Sequence, residues 1–143
     1  MPKEISKTET ESCLREILVE EGYTLDQPAG FLNFGPEIKA TKDSEDWYIE
    51  VIGYDQSGLE RIKDFYEAFF QAISRLNHQD CKHIILAMPA ISRKLLPIRA
   101  KIYRVAWQRI ANAFPELEIW LVDVESKKYT KTSWIFWLKP SID

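Results

Sequence analysis

The sequence predicts an α/β domain built on a central mixed β-sheet flanked by helices. One observation is a polar turn, Lys42 to Asp46, between two β-rich runs, which reads as a hairpin. A second is the alternation that follows, in which helical spacing gives way twice to a short apolar run. The third is length: 143 residues, without a repeat or a Pro/Gly/Ser linker, fit one domain spanning 1–143.

Each element has a local cause. Thr8 with Glu11 forms a capping-box pattern ahead of a helix from about Thr10 to Glu21, and Gly22 supplies its stop. Gly22 to Pro36 is turn-rich, with Phe31, Leu32 and Phe34 entering a strand that continues through Gly35 to Ala40. Trp47 to Tyr54 is the second hairpin strand. Ser57 and Glu60 cap a long helix whose inward face is read from Leu59, Ile62, Tyr66, Phe69, Ile73 and Leu76. His83 to Met88 is a nearly all-apolar strand of the kind buried on both faces. Pro97 opens a helix running to about Phe114, with Ile98, Ile102, Val105 and Ile110 inward. Leu117 to Val124 and Tyr129 to Leu138 are the last strands, joined by a turn at Ser126 to Lys128. The order is α-β-β-α-β-α-β, with a further strand at the end.

Composition excludes several classes. Hydrophobic residues at 45% and charged residues at 29% are ordinary for a globular protein. With 5 Gly, 7 Pro and 2 Cys, the chain is neither collagenous, disordered nor a disulfide scaffold. Cys13 and Cys81, each beside apolar residues, read as reduced core thiols. Without a bilayer-length apolar run or a signal-peptide pattern, the expectation is a cytoplasmic protein with no membrane partner. Charge is uneven: residues 1–80 carry 8 Lys/Arg against 17 Asp/Glu, whereas residues 81–115 carry 7 Lys/Arg and no acid. That basic segment forms either a local anion-binding patch or a solvated helix face.

Little conventional chemistry fits. His78 and His83 have no partner at metal-ligand spacing and read as structural residues at a helix end and a strand start. No Walker, dinucleotide-binding or nucleophile-elbow glycine pattern occurs. What remains is a pair of acids on the hairpin, Glu37 and Glu50. A carboxylate within an apolar strand must be hydrogen-bonded, paired or bound to a cation, and two on one pocket edge make a hard oxygen site suited to Mg²⁺ or Mn²⁺. The other reading is a pair of surface-facing acids.

The element order, with Gly35-Pro36-Glu37-Ile38 in one strand and Tyr48-Ile49-Glu50-Val51-Ile52-Gly53 in the next, resembles the restriction-endonuclease-like superfamily of PD-(D/E)xK nucleases. Gly22-Tyr23-Thr24-Leu25, Ala68-Phe69-Phe70-Gln71 and Leu86-Ala87-Met88-Pro89 make it most similar to the XisH-like excision-controlling factors of the fdxN element, over about residues 8–125. The resemblance implies a restriction-endonuclease-like fold and a divalent-metal nuclease site. Glu37 and Glu50 would be its metal ligands, Glu16 the additional helix acid and Gln71 the supporting glutamine. The apolar periodicity of the long helix, however, places Gln71 on the side away from the core. The signature lysine falls at Ile52. Glu37-Ile38-Lys39 is itself acid-x-Lys, so Lys39 can stand in, or Asp26 can be the first acid in a shifted register.

Three functions stay open on these grounds. One is a metal-dependent nuclease holding DNA through Arg93, Lys94, Arg99, Lys101 and Arg104. Another is a catalytically inactive relative that binds DNA or a recombination partner. The third is an interaction module whose tail, Trp134-Ile135-Phe136-Trp137-Leu138, forms a homodimer seam or else packs as core.

Overall fold

The computed structural model describes residues 4–26, 36–77 and 81–138, arranged as a six-stranded mixed sheet between two helical layers. In chain order the elements are α1 (Lys7–Glu20), β1 (Thr24–Leu25), β2 (Ile38–Lys42), β3 (Glu45–Val51), α2 (Gly58–Ser74), β4 (His83–Pro89), α3 (Leu96–Ile102), α4 (Arg104–Ala113), β5 (Leu117–Asp123) and β6 (Lys128–Ser133). The strands lie side by side in sequence order. β1–β2, β2–β3 and β5–β6 pair antiparallel, whereas β3–β4 and β4–β5 pair parallel through helical crossovers. No helix among the described residues is long and apolar enough to cross a membrane.

The hairpin turn explains the register. Asp43 and Ser44 adopt φ of 52° and 66°, the left-handed pair whose twist matches two antiparallel strands, so β2 and β3 run right up to the turn. Strand parity then divides β3. Trp47, Ile49 and Val51 face α1, joining Leu14, Leu18, Ile38, Ile85 and Trp120, whereas Tyr48 and Ile52 face the α2–α4 layer. β4 is buried from Ile84 to Pro89, as a strand covered on both faces must be. Cys13 and Cys81 are buried free thiols, and burial raises both above the ordinary thiol pKa.

Several expectations are corrected. α1 begins earlier than Thr10, because the capping box is Ser6 with Glu9 rather than Thr8 with Glu11. Gly22, at φ +97°, does terminate it. β3 stops at Val51, and Tyr54 instead makes an isolated bridge with Ile5. The inward face expected of the long helix holds only in part: Phe69, Ile73 and Leu76 pack against the core, but the buried residues of α2 are Phe65, Ala68 and Ala72, while Leu59, Ile62 and Tyr66 are exposed. The small Ala68 and Ala72 let the helix lie close to the sheet. The helix expected from Pro97 to Phe114 is two, broken at Tyr103. Leu96, Ala100 and Trp107 face inward, leaving Ile98, Ile102 and Val105 58–67% exposed.

The last strand ends at Ser133, and Ile135–Leu138 is a 3₁₀ turn. Trp134 stacks on Trp107 at 3.9 Å between ring centres, and each indole N–H donates to the other's carbonyl, at 2.8 and 3.1 Å. Trp134 and Trp137 therefore pack in this chain's own core, while Ile135 and Phe136 of the same tail stay exposed. The readings of Phe31, Leu32, Phe34, Gly35 and His78 lie outside the described residues.

Candidate active site

Because Ile38 pairs with Ile49, the hairpin register carries Glu37, at the mouth of β2, opposite Glu50 in β3. Both carboxylates open into a cavity of about 190 Å³ roofed by α2, whose Asp64 and Glu67 add further acids and whose Gln71 adds an amide. Gln71 reaches it because α2 turns Phe65, Ala68 and Ala72 to the core, which swings Gln71 toward the sheet edge where β3 ends. Ile52 lines the same cavity, as its parity with Glu50 requires.

Glu50 is only 2% exposed, and its Oε2 accepts a 2.9 Å hydrogen bond from Arg75 Nε. Loss of water pushes its pKa above the usual carboxylate range, more strongly than Arg75 pulls it down, and the nearby charge of Glu37 adds to the rise. Asp64 is raised too, by desolvation and the neighbouring Glu60, Asp55 and Glu67. Negative charge is therefore concentrated and partly desolvated, which suits capture of a cation.

Two cations enter that sequence reasoning missed. Lys7, in the first turn of α1, donates to Glu37 Oε1 and lines the cavity. It arrives there because the N-terminal segment crosses the exit of β3. Ile5 and Tyr54 exchange backbone hydrogen bonds of 3.1 and 2.7 Å, and a Cβ on Gly53 would lie 2.5 Å from Ile5 O and 2.6 Å from Lys7 N. Only glycine permits that approach. The Ser6/Glu9 box was the available signal, since it starts the helix at Lys7. Arg75, the other cation, lies four residues beyond Gln71, one turn along the helix path.

Other expected site residues lie elsewhere. Lys39 does not line the cavity; its ammonium sits 5.9 Å from the Tyr48 ring centre. Glu16 is exposed and stands 4.0 Å from Lys127. His83 opens β4, bonded to Glu45 at 2.7 Å and stacked on Trp47. Arg93, Lys94, Lys101 and Arg104 are exposed, whereas Arg99 is half-buried with its guanidinium 4.6 Å from the Phe65 ring centre.

The donors fit a hard divalent ion such as Mg²⁺, which commonly takes one or two carboxylates and completes its shell with water and phosphate oxygens. Among the described residues, no group of three or more His, Cys, Asp or Glu is placed to hold a metal. Any such ion would therefore rest on Glu37 and Glu50. Compared with known proteins, the chain matches no family model, no curated protein and no solved structure.

Proposed function

We propose that this is a DNA-acting domain of restriction-endonuclease-like architecture, with a phosphodiester-cleaving site at the β2–β3 edge. The observation that carries the reading is the convergence of Glu37, Glu50 and Gln71, from three separate elements, on one cavity that also contains Lys7. In this reading Glu37 and Glu50 hold Mg²⁺ or Mn²⁺. The ion would supply Lewis acidity toward a phosphodiester and a bound water of lowered pKa. Lys7 replaces the signature lysine absent at Ile52: its ammonium, held by Glu37, is positioned to orient a water or offset charge on the phosphate. Arg75 keeps the Glu50 carboxylate oriented. Arg93, Lys94, Lys101 and Arg104 supply exposed charge for phosphate contacts outside the cavity.

A second reading, a non-catalytic DNA-binding or accessory protein, draws on the ion pairs themselves. Lys7 and Arg75 already neutralise Glu37 and Glu50, and Ile52 contributes no donor. Calorimetric Mn²⁺ titration and plasmid nicking separate the two. The nuclease reading expects saturable Mn²⁺ binding lost in Glu50→Ala. It also expects Lys7→Ala to bind Mn²⁺ at least as tightly while nicking less. No Mn²⁺ heat and no nicking in the wild type would leave the accessory reading.

A further inference from the structure

Beside the carboxylate cavity, the α2–α3–α4 surface holds a guanidinium that stacks on a ring but meets no carboxylate or carbonyl. Arg99 is half-buried, and burial lowers its pKa, opposed by Tyr66 and Tyr103 and reinforced by the like charge of Arg61. Its side chain lies over the Phe65 ring. Among the described residues, however, the guanidinium makes no ion pair and no hydrogen bond. Its nitrogens, which reach the surface, are therefore free to donate to an anion. Arg61, by contrast, is tied down, donating to the carbonyls of Asp55 and Gln56 at 2.6 and 3.1 Å and stacking on Tyr54. Its fixed charge leaves the space near Arg99 electropositive.

Arg99 also forms one wall of a second cavity, of about 200 Å³, between α2 and α4. That cavity is lined almost wholly by rings and alkyl groups, with Phe69, Trp107 and Trp134 inside. Tyr66 and Tyr103 stand at its rim, each about half exposed. A small cleft containing Arg61, Ser92 and Arg99 lies between the carboxylate and aromatic cavities. It shares Ile52 and Gly53 with the carboxylate site, and Phe65 and Arg99 with the aromatic one. An anionic group on Arg99 and a flat apolar body among the rings is the chemistry of a nucleotide. The aromatic cavity offers few polar groups to read a base edge, so stacking there would be tolerant of sequence.

We propose that the aromatic cavity receives one unstacked nucleotide of a single DNA strand, its phosphate on Arg99 and its base against Tyr66 and Tyr103. This rests on the DNA-acting reading and narrows its substrate to single strands or frayed ends. Trp107 and Trp134 line the cavity, so occupancy can be read by quenching of tryptophan fluorescence. The probes are a dT10 oligonucleotide, a blunt ten-base-pair duplex and thymidine monophosphate, in EDTA at low salt. The expected result is saturable quenching by dT10, tighter than by either other probe. It should weaken at least tenfold in Arg99→Gln and at least tenfold in the Tyr66→Ala/Tyr103→Ala double variant. Both changes lie at partly or largely exposed positions, and unchanged melting would show that the fold is retained. Absence of dT10 quenching, equal binding by Arg99→Gln, or preference for the duplex or the monophosphate would overturn the proposal. Glu50→Gln separates this failure from that of the catalytic site. In Glu50→Gln, normal dT10 binding with Mn²⁺ uptake and nicking lost is the expected pattern; the same pattern in the wild type defeats only the nuclease reading. Mn²⁺ uptake and nicking without dT10 binding defeat only the single-strand proposal.

Discussion

Replacing Gly53 with alanine should detach the N-terminal crossing that brings Lys7 to the carboxylates. The new methyl would lie 2.5 Å from Ile5 O, 2.6 Å from Lys7 N and 2.9 Å from the Ser6 carbonyl carbon. All three are backbone atoms, so no side-chain rotation relieves the overlap. Restoring an ordinary 3.4 Å contact requires about 0.9 Å of separation. That movement stretches the Ile5–Tyr54 hydrogen bonds, now 3.1 and 2.7 Å, beyond useful range. Two such bonds contribute about 0.5–1.5 kcal/mol each, so the loss is about 1–3 kcal/mol. A 143-residue domain with about 7–20 kcal/mol in hand stays folded, and Tm falls by about 4–12 °C. Urea melts give the energy, and amide exchange at Ile5 and Tyr54 shows where it was lost. A double-mutant cycle with Lys7→Ala completes the test, because two changes acting through one placement are non-additive in nicking. Unchanged exchange at Ile5 and Tyr54 with an unchanged urea midpoint would refute the close-approach argument.

The raised pKa of Glu50 sets a pH dependence. Its folded form holds the proton more tightly than the unfolded chain, so stability should fall as pH rises from the ordinary 4.5 toward the folded value. Mn²⁺ affinity should climb over the same window as the proton leaves, and Glu50→Gln should flatten both trends in melts and titrations. Ile52→Lys restores acid-x-Lys beside Glu50 at a partly exposed position; nicking should increase, and Glu50→Ala in that background should erase the gain. Trp134→Ala should cost about 3–5 kcal/mol in urea. Light scattering should give the same mass for this variant as for wild type, whereas a wild-type dimer dissociating in the variant would revive the tail as an interface.

Sheet elements were far more legible in the sequence than helix orientation. β4 and β5 could be read from unbroken apolar runs, and the hairpin from the polar Lys42 to Asp46 turn, because strand burial depends on local alternation and turn chemistry. The helices misled through size. On α2 the bulk of Leu59, Ile62 and Tyr66 outweighed Ala68 and Ala72 in the periodicity, yet close approach to a sheet favours the small residues. That error also turned Gln71 away from a site it lines. Glu37 and Glu50 could be found because strand register fixes them together. Lys7 could not, since its arrival depends on a contact between Gly53 and a segment more than forty residues earlier.

The reciprocal Trp107–Trp134 pairing bears on how the chain assembles during synthesis. The α1 face of the sheet has its last buried residue at Val122, so that layer can close before the residues of β6 and the following turn join. The opposite layer waits for Trp134 and Trp137. Until they emerge, Phe65, Trp107 and their neighbours present an open aromatic surface on a nascent chain whose other half is already packed. A chain interrupted before Trp134 would keep that aromatic surface open, a species suited to chaperone capture.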